Sequence, residues 1–144
     1  MAGGKPAFVA LDWNGTVVPF FGLEPYLGAL EIVADWRSQD LLVFVVSRAG
    51  QKTIERDVER TGLLNDGVFG CADKGPILQD LCARYGDGIL LGDHPTDLRA
   101  ACTAGIPFLQ AGLEGQPRLS EADGYYREWG EVQLLVEALW GSTP

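Results

Sequence analysis

The sequence predicts an α/β fold, a three-layer arrangement with a central parallel sheet between two layers of helices. Short, continuous apolar runs recur at 7–11, 41–46, 88–93 and 106–110, and stretches with helical spacing separate them. Strands buried on both faces read as unbroken apolar runs, and parallel strands need crossovers of helix length. A third observation concerns how the runs end. Asp12, Ser47 with Arg48, and Asp93 close three of them. Ligands of open parallel sheets bind beyond the carboxyl ends of the strands, beside the reversal in strand order. These residues are therefore expected to converge.

The elements follow in order. "AFVAL" (7–11) is the first strand. "EPYLGALEIVADWRSQ" (24–39) carries Leu27, Leu30, Ile32, Val33 and Trp36 at helical spacing, with Pro25 near its start. "LLVFVV" (41–46) is a buried strand, and "QKTIERDVERTG" (51–62) is an amphipathic helix closed by Gly62. "GVFG" (67–70) reads as a short strand, and "GPILQDLCARYG" (75–86) as a helix leading to the strand "GILLGD" (88–93). "PTDLRAACTAG" (95–105) starts with Pro and stops with Gly, as a helix does. "IPFLQ" (106–110) is expected to be the last main strand, 111–126 a loop and "EWGEVQLLVEALW" (128–140) a terminal helix. One domain over 1–144 follows, with its motif-bearing core at about 7–110 and a C-terminal loop and helix over 111–144.

Composition narrows the partners. The 144 residues are 47% hydrophobic and 22% charged, ordinary for a soluble globular chain, and the formal net charge is −9. That charge disfavours nucleic acid and anionic membrane, which need a broad positive surface. No apolar run has the length of a membrane span, and the N-terminal stretch lacks a secretory pattern. Cys71, Cys82 and Cys102 are odd in number and lack C-x-x-C spacing, so they read as free, mostly buried thiols in a reducing compartment, the cytoplasm.

Four pieces carry chemistry. "LDWNGT" ends a strand with Asp12, "VFVVSRAG" ends one with Ser47, "CADKGPIL" sets Lys74 just before a helix, and "ILLGDHPTD" supplies Asp93 and Asp97. An aspartate can attack phosphorus and divide one difficult displacement into two easier ones. Carboxylates with a backbone carbonyl make an oxygen-rich, incomplete shell suited to Mg²⁺. A hydroxyl and an ammonium hold phosphate oxygens as charge spreads over them.

This set resembles the haloacid dehalogenase-like (HAD) superfamily of phosphohydrolases, whose first motif is hhhhD-x-D-G-T. The likeness covers about residues 8–105, and "GDHPTDLRAACTAGIP" is its most specific piece. The resemblance implies a Rossmann-like core without a cap domain and an Mg²⁺-dependent phosphatase working through an aspartyl-phosphate. It makes Asp12 nucleophile and metal ligand, and the Asn14 carbonyl a second ligand. Asp93 binds the metal, with Asp97 binding or orienting its waters. Ser47 and Lys74 hold the phosphate, with backbone N–H groups near Trp13 and Asn14; Arg48 adjoins them. The substrate implied is a phosphorylated small molecule or macromolecule, and a homo-oligomer is left open.

Two departures matter. Asn14 stands where the resemblance expects a second aspartate, which protonates the leaving oxygen and later activates water. Without it, leaving groups that need no proton, such as acyl or enol phosphates, suffer least. Three readings follow: a slower or leaving-group-selective phosphatase, a silent relative binding a phosphorylated ligand or a partner, or a substitution introduced to trap a complex. His94, the only histidine, is a substitute acid/base by its chemistry, although a residue beside a strand-end ligand usually points elsewhere.

The second departure is size. With 34 residues between Asp12 and Ser47, and 26 between Ser47 and Lys74, no cap domain fits. "VVPFFGLEPY" (17–26) is the one lid candidate, with burial in the core or an interface the simpler reading of Phe20 and Phe21. Ser47 doubles as a helix cap and Asp97 suits a helix N-terminus. Trp36, Trp129 and Trp140 read as packing residues, and "EADGYYREWGE" as a surface loop or subunit interface.

Overall fold

The computed structural model describes residues 5–140, with Trp140 described by its backbone alone. The packing role expected of Trp140 and the reading of the first four residues lie outside the described part. Six strands build one sheet: β1 (Phe8–Leu11), β2 (Leu42–Ser47), β3 (Gly67–Gly70), β4 (Gly88–Gly92), β5 (Phe108–Ala111) and β6 (Gly124–Tyr126). All pairings are parallel, in the order β3-β2-β1-β4-β5-β6. Helices α1 (Ala29–Ser38), α2 (Gln51–Thr61), α3 (Lys74–Tyr85), α4 (Pro95–Ala104) and α5 (Trp129–Trp140) connect or follow them.

The apolar runs are continuous because both faces of the sheet are covered. Val9, Leu11, Val43, Val45, Ile89 and Leu91 face one core, with Val33 and Trp36 of α1, Ile54 and Val58 of α2 and Val132 of α5. Phe8, Ala10, Phe44, Val46, Leu90 and Phe108 face the other, with Leu78 and Leu81 of α3 and Ala100 and Ala101 of α4. Burying each larger side chain contributes about 1.5–3 kcal/mol. The three-layer, Rossmann-like sandwich is therefore as expected. β1 pairs only in parallel, with β2 and β4. Neither the segment from Asp12 to α1 nor that from β3 to α3 contains a cap domain.

Several expectations are corrected. The first helix starts at Ala29 instead of near Pro25, because Gly28 adopts a left-handed φ of 89° and ends the preceding loop. Leu27, counted in the helical stripe, is 95% exposed. Residues 111–126 are not all loop, and "IPFLQ" is not the last strand, since β6 extends the sheet beyond β5. Its short "GYY" carries no apolar run to reveal it. It forms because Gly124 lets Leu109 approach, and because buried Gln110 receives Leu119 N–H at 2.7 Å and donates to Pro117 O at 2.9 Å, tying down the return loop. Tyr126, in the stretch read as loop or interface, is buried in the chain's own core, and Trp129 packs there as expected.

The thiols are free but not mostly buried. Cys71 and Cys82 are half-buried, and Cys102 lies on the exposed side of α4. Phe20 is 60% exposed and stacks edge-on against Phe21, so it is not a core residue. Among the described residues, no helix is long and apolar enough to cross a membrane.

Candidate active site

Strand order reverses between β1 and β4, and the predicted residues gather there. Leu11 pairs with Val45 on one side and Leu91 on the other, so the three strands end nearly in step. Asp12 N–H still bonds Leu91 O at 2.9 Å, after which the chain turns sharply. The Trp13 carbonyl accepts from Thr16 N and Val17 N, closing the turn. Trp129 of α5 clamps it from behind, donating its indole N–H to Thr16 O at 2.8 Å. Trp13 points away from the site: its ring is fully buried, and Nε1 donates to Asp57 at 2.7 Å. Its backbone is what faces the ligand side. Among the described residues, the Trp13 and Asn14 N–H groups have no acceptor and the Asn14 carbonyl has no donor.

Lys74, the first residue of α3, is 4% exposed and reaches Asp12 Oδ1 at 2.7 Å and Asp97 Oδ1 at 2.6 Å. Burial disfavours its charge, but the two carboxylates outweigh that and raise its pKa. An ammonium has three protons, so one is left for a phosphate oxygen. Asp97 is engaged on both oxygens, the second accepting His94 N–H at 3.2 Å within a capping box of α4. Its expected helix-end role is therefore realised, together with the positioning of Lys74.

Ser47 Oγ accepts Ala49 N–H at 3.1 Å, which leaves its own proton available. It does not cap α2, whose N-cap is Gly50. Arg48 is exposed at the rim. His94 is the N-cap of α4, its Nδ1 accepting Thr96 N–H at 3.1 Å. Asp12, Asn14, Phe21, Ser47, Lys74 and His94 all line one cleft of about 240 Å³. Phe21 lines this cleft while its ring also packs, partly buried, against the core.

Sequence reasoning missed Gln116. Its side-chain amide donates to Asp93 Oδ2 at 3.2 Å, and Tyr125 O–H donates to its backbone carbonyl at 2.6 Å. Nothing marks it in sequence, since the loop 112–123 reaches the site only because β6 sends it back across the strand ends.

Asp12, Asp93 and Asp97 each offer a carboxylate oxygen, all within 4.8 Å of one another. An all-oxygen set of this size fits a hard divalent cation. Asn14 Oδ1, buried in the same cleft without a partner, adds to the fit: it is an acceptor awaiting a cation, a water or a ligand hydroxyl. Without a cation the carboxylates repel. Burial, a hydrogen bond shared with Asp12 and the Asp12 and Asp97 charges push Asp93 up to about 7. Burial and the Asp12 charge push Asp97 up to about 6, against the pull of Lys74.

The pH dependence follows. Between about pH 4 and 7 the metal-free native state holds protons that the unfolded chain has released, so its stability falls as pH rises and levels off above 7. Calorimetry without metal is expected to give a higher Tm at pH 5.5 than at 7.5. Added Mg²⁺ is expected to raise Tm more at pH 7.5, where no proton competes. A metal-free Tm that climbs across this window would contradict the geometry.

Gly15 is demanded by this packing. Its φ is 81°, and a Cβ there would lie 2.0 Å from Asp93 Oδ2. Gly15→Ala is expected to lose about 1–3 kcal/mol of stability to backbone strain, measured by urea denaturation. It is also expected to displace Asp93 and weaken Mg²⁺ binding by about 10–100-fold, measured by Mg²⁺ titration of Tm.

Together the strand order and the acidic cleft define an open α/β domain whose switch point carries a cluster of carboxylates that could hold a cation. The fold is that of HAD-type hydrolases, as solved structures bear out. A HAD-superfamily hydrolase from Ehrlichia chaffeensis superposes with a TM-score of 0.77 at 12% identity, over 94% of this chain and 98% of that one. A D,D-heptose 1,7-bisphosphate phosphatase from B. bronchiseptica, complexed with magnesium and phosphate, gives 0.68 at 19%, over 90% and 98%. A 3-deoxy-D-manno-octulosonate 8-phosphate phosphatase from Moraxella catarrhalis, with magnesium, phosphate and the sugar acid, gives 0.69 at 15%, over 93% and 85%. No protein-family model and no curated protein matches the sequence.

Proposed function

We propose that this chain is an Mg²⁺-dependent phosphohydrolase acting on a phosphate monoester or acyl phosphate through an aspartyl-phosphate on Asp12. The observation that carries this reading is the position of Asp12: a half-buried carboxylate at the switch point, bonded by Lys74 and flanked by unused N–H groups of Trp13 and Asn14. A lone turn aspartate has no use for a buried lysine aimed at it.

In the first step the Asp12 carboxylate attacks phosphorus, an oxygen–phosphorus bond forms, and the bond to the leaving oxygen breaks with its electron pair. Lys74, Ser47 and the two N–H groups hold the equatorial oxygens as charge spreads over them. Asp12, Asp93 and the Asn14 carbonyl would hold Mg²⁺, which when bound would neutralise the phosphate charge. Asp97 keeps Lys74 in place, and Gln116 orients Asp93. In the second step a water oxygen attacks phosphorus, the bond to the Asp12 oxygen breaks with its electron pair to restore the carboxylate, and inorganic phosphate leaves with the water's oxygen, the water's protons passing to phosphate and solvent.

Asn14 shapes the specificity. Its amide can hold a hydrogen bond but shuttles no proton near neutral pH, so the first step favours leaving groups stable as anions. The second step proceeds without a base from this position. A second reading, a non-enzymatic binder of phosphorylated ligands on the same fold, draws on the same amide. Phosphate release separates the two. With acetyl phosphate, turnover is expected to require Mg²⁺ and to vanish with EDTA; no release above the uncatalysed rate, from a protein that still binds Mg²⁺, would leave the binder.

A further inference from the structure

We infer that the substrate's organic part carries a second anionic group, carboxylate or phosphate, received by Arg99 and Arg48 in a cavity beside Asp12. This rests on the phosphate site proposed above and names the substrate class it serves. The cavity, about 440 Å³, lies between the start of α3 and one side of α4 and is lined by Arg48, Asp73, Lys74, Thr96, Arg99 and Thr103 among others. Arg48, Lys74 and Thr96 also line the 240 Å³ cleft that holds Asp12, so the two spaces adjoin. Together they have the size of a small-metabolite site rather than of one phosphate.

Charge makes the cavity specific. The chain has 20 acidic and 11 basic side chains, so carboxylate partners abound. Arg37, Arg60 and Arg84 each pair with an aspartate, and Lys74 with two. Among the described residues, the side chains of Arg48 and Arg99 have no hydrogen bond or ion pair, as is true also of Arg56 elsewhere on the surface; Arg48 and Arg99 are both exposed and both line the cavity. The only carboxylate facing them in the lining is Asp73, which already accepts Gly75 N–H at 3.0 Å as the cap of α3. Two guanidinium groups against one engaged carboxylate leave a positive wall. Guanidinium is suited to planar, bidentate recognition of carboxylate or phosphate.

Non-hydrolysable phosphonates test this independently of turnover. Calorimetric titration with Mg²⁺ present would compare methylphosphonate, an ω-hydroxyalkyl phosphonate, an ω-carboxyalkyl phosphonate and an alkane bisphosphonate. The compounds would have matched chains of two to four carbons. A second anion is expected to tighten binding about 10–100-fold over the hydroxyl analogue, and the two charged arms tell whether carboxylate or phosphate is preferred. Arg99→Gln is expected to erase that gain while leaving methylphosphonate affinity within about twofold, and Arg99→Lys to restore part of it. Equal affinity for charged and neutral chains, or a gain that survives Arg99→Gln, overturns the inference alone. Absence of methylphosphonate binding overturns the phosphate site itself, and the inference with it.

Discussion

Replacing Asp12 by asparagine is expected to lower phosphate release by roughly 10⁴–10⁶-fold, the loss seen when a covalent nucleophile is removed. The fold should survive. The substitution removes the charge that helps raise Asp93, so the metal-free repulsion at the strand ends weakens. Lys74 keeps Asp97 as its partner at 2.6 Å. The expected pattern is therefore an unchanged or higher Tm at pH 7.5 without metal, joined to lost turnover. Steady-state kinetics beside a thermal scan checks both. A variant that retains more than a few per cent of parental activity, with its fold intact, would remove Asp12 from the chemistry.

Restoring the missing acid is expected to work in the opposite direction. Asn14→Asp should raise kcat/KM on alkyl phosphates by about 10²–10⁴-fold, because their alkoxide leaving groups need a proton in the transition state. Acetyl phosphate, which leaves as a stable carboxylate, should gain far less in the first step. The substitution has an electrostatic cost. It adds a fourth carboxylate to a cluster in which Asp93 already sits near 7, in a chain whose formal charge is −9. The variant is therefore expected to be less stable than the parent without Mg²⁺ and to recover much of the difference with it. A kinetic panel of acetyl, phenyl and alkyl phosphates measures the split. Equal gains on all three would mean that Asn14 does not govern proton transfer to the leaving group.

Much of this account was legible in the sequence because its signals are local. A strand covered on both faces announces itself as an unbroken apolar run, and the residue just after such a run in a parallel sheet stands at the ligand end. Asp12, Ser47 and Asp93 were found that way, and the structure brings them to one edge. Helix ends were legible where a single residue sets them, as at Gly62 and Gly105, whose φ values are 78° and 72°. What stayed hidden depends on distant partners. β6 is three residues long and owes its place to β5 and to the buried side chain of Gln110. Gln116 reaches Asp93 only through the loop that β6 returns. The start of α1 was misread because Leu27 continues the helical spacing while Gly28 breaks the helix one residue later. The orientation of Trp13 was equally invisible. Its neighbour Asp12 faces the cleft, but its own ring bonds Asp57, 44 positions along the chain.

The central claim is that Asp12 becomes covalently phosphorylated. With Asn14 unable to activate water, hydrolysis of that intermediate should be slow enough for it to accumulate. Rapid acid quench of the protein with Mg²⁺ and acetyl phosphate, followed by intact-mass and peptide analysis, measures this directly. The account predicts an early adduct approaching one phosphoryl group per chain, located on Asp12 and absent from Asp12→Asn. Phosphate release that proceeds without any adduct, at a rate untouched by Asp12→Asn, would contradict it.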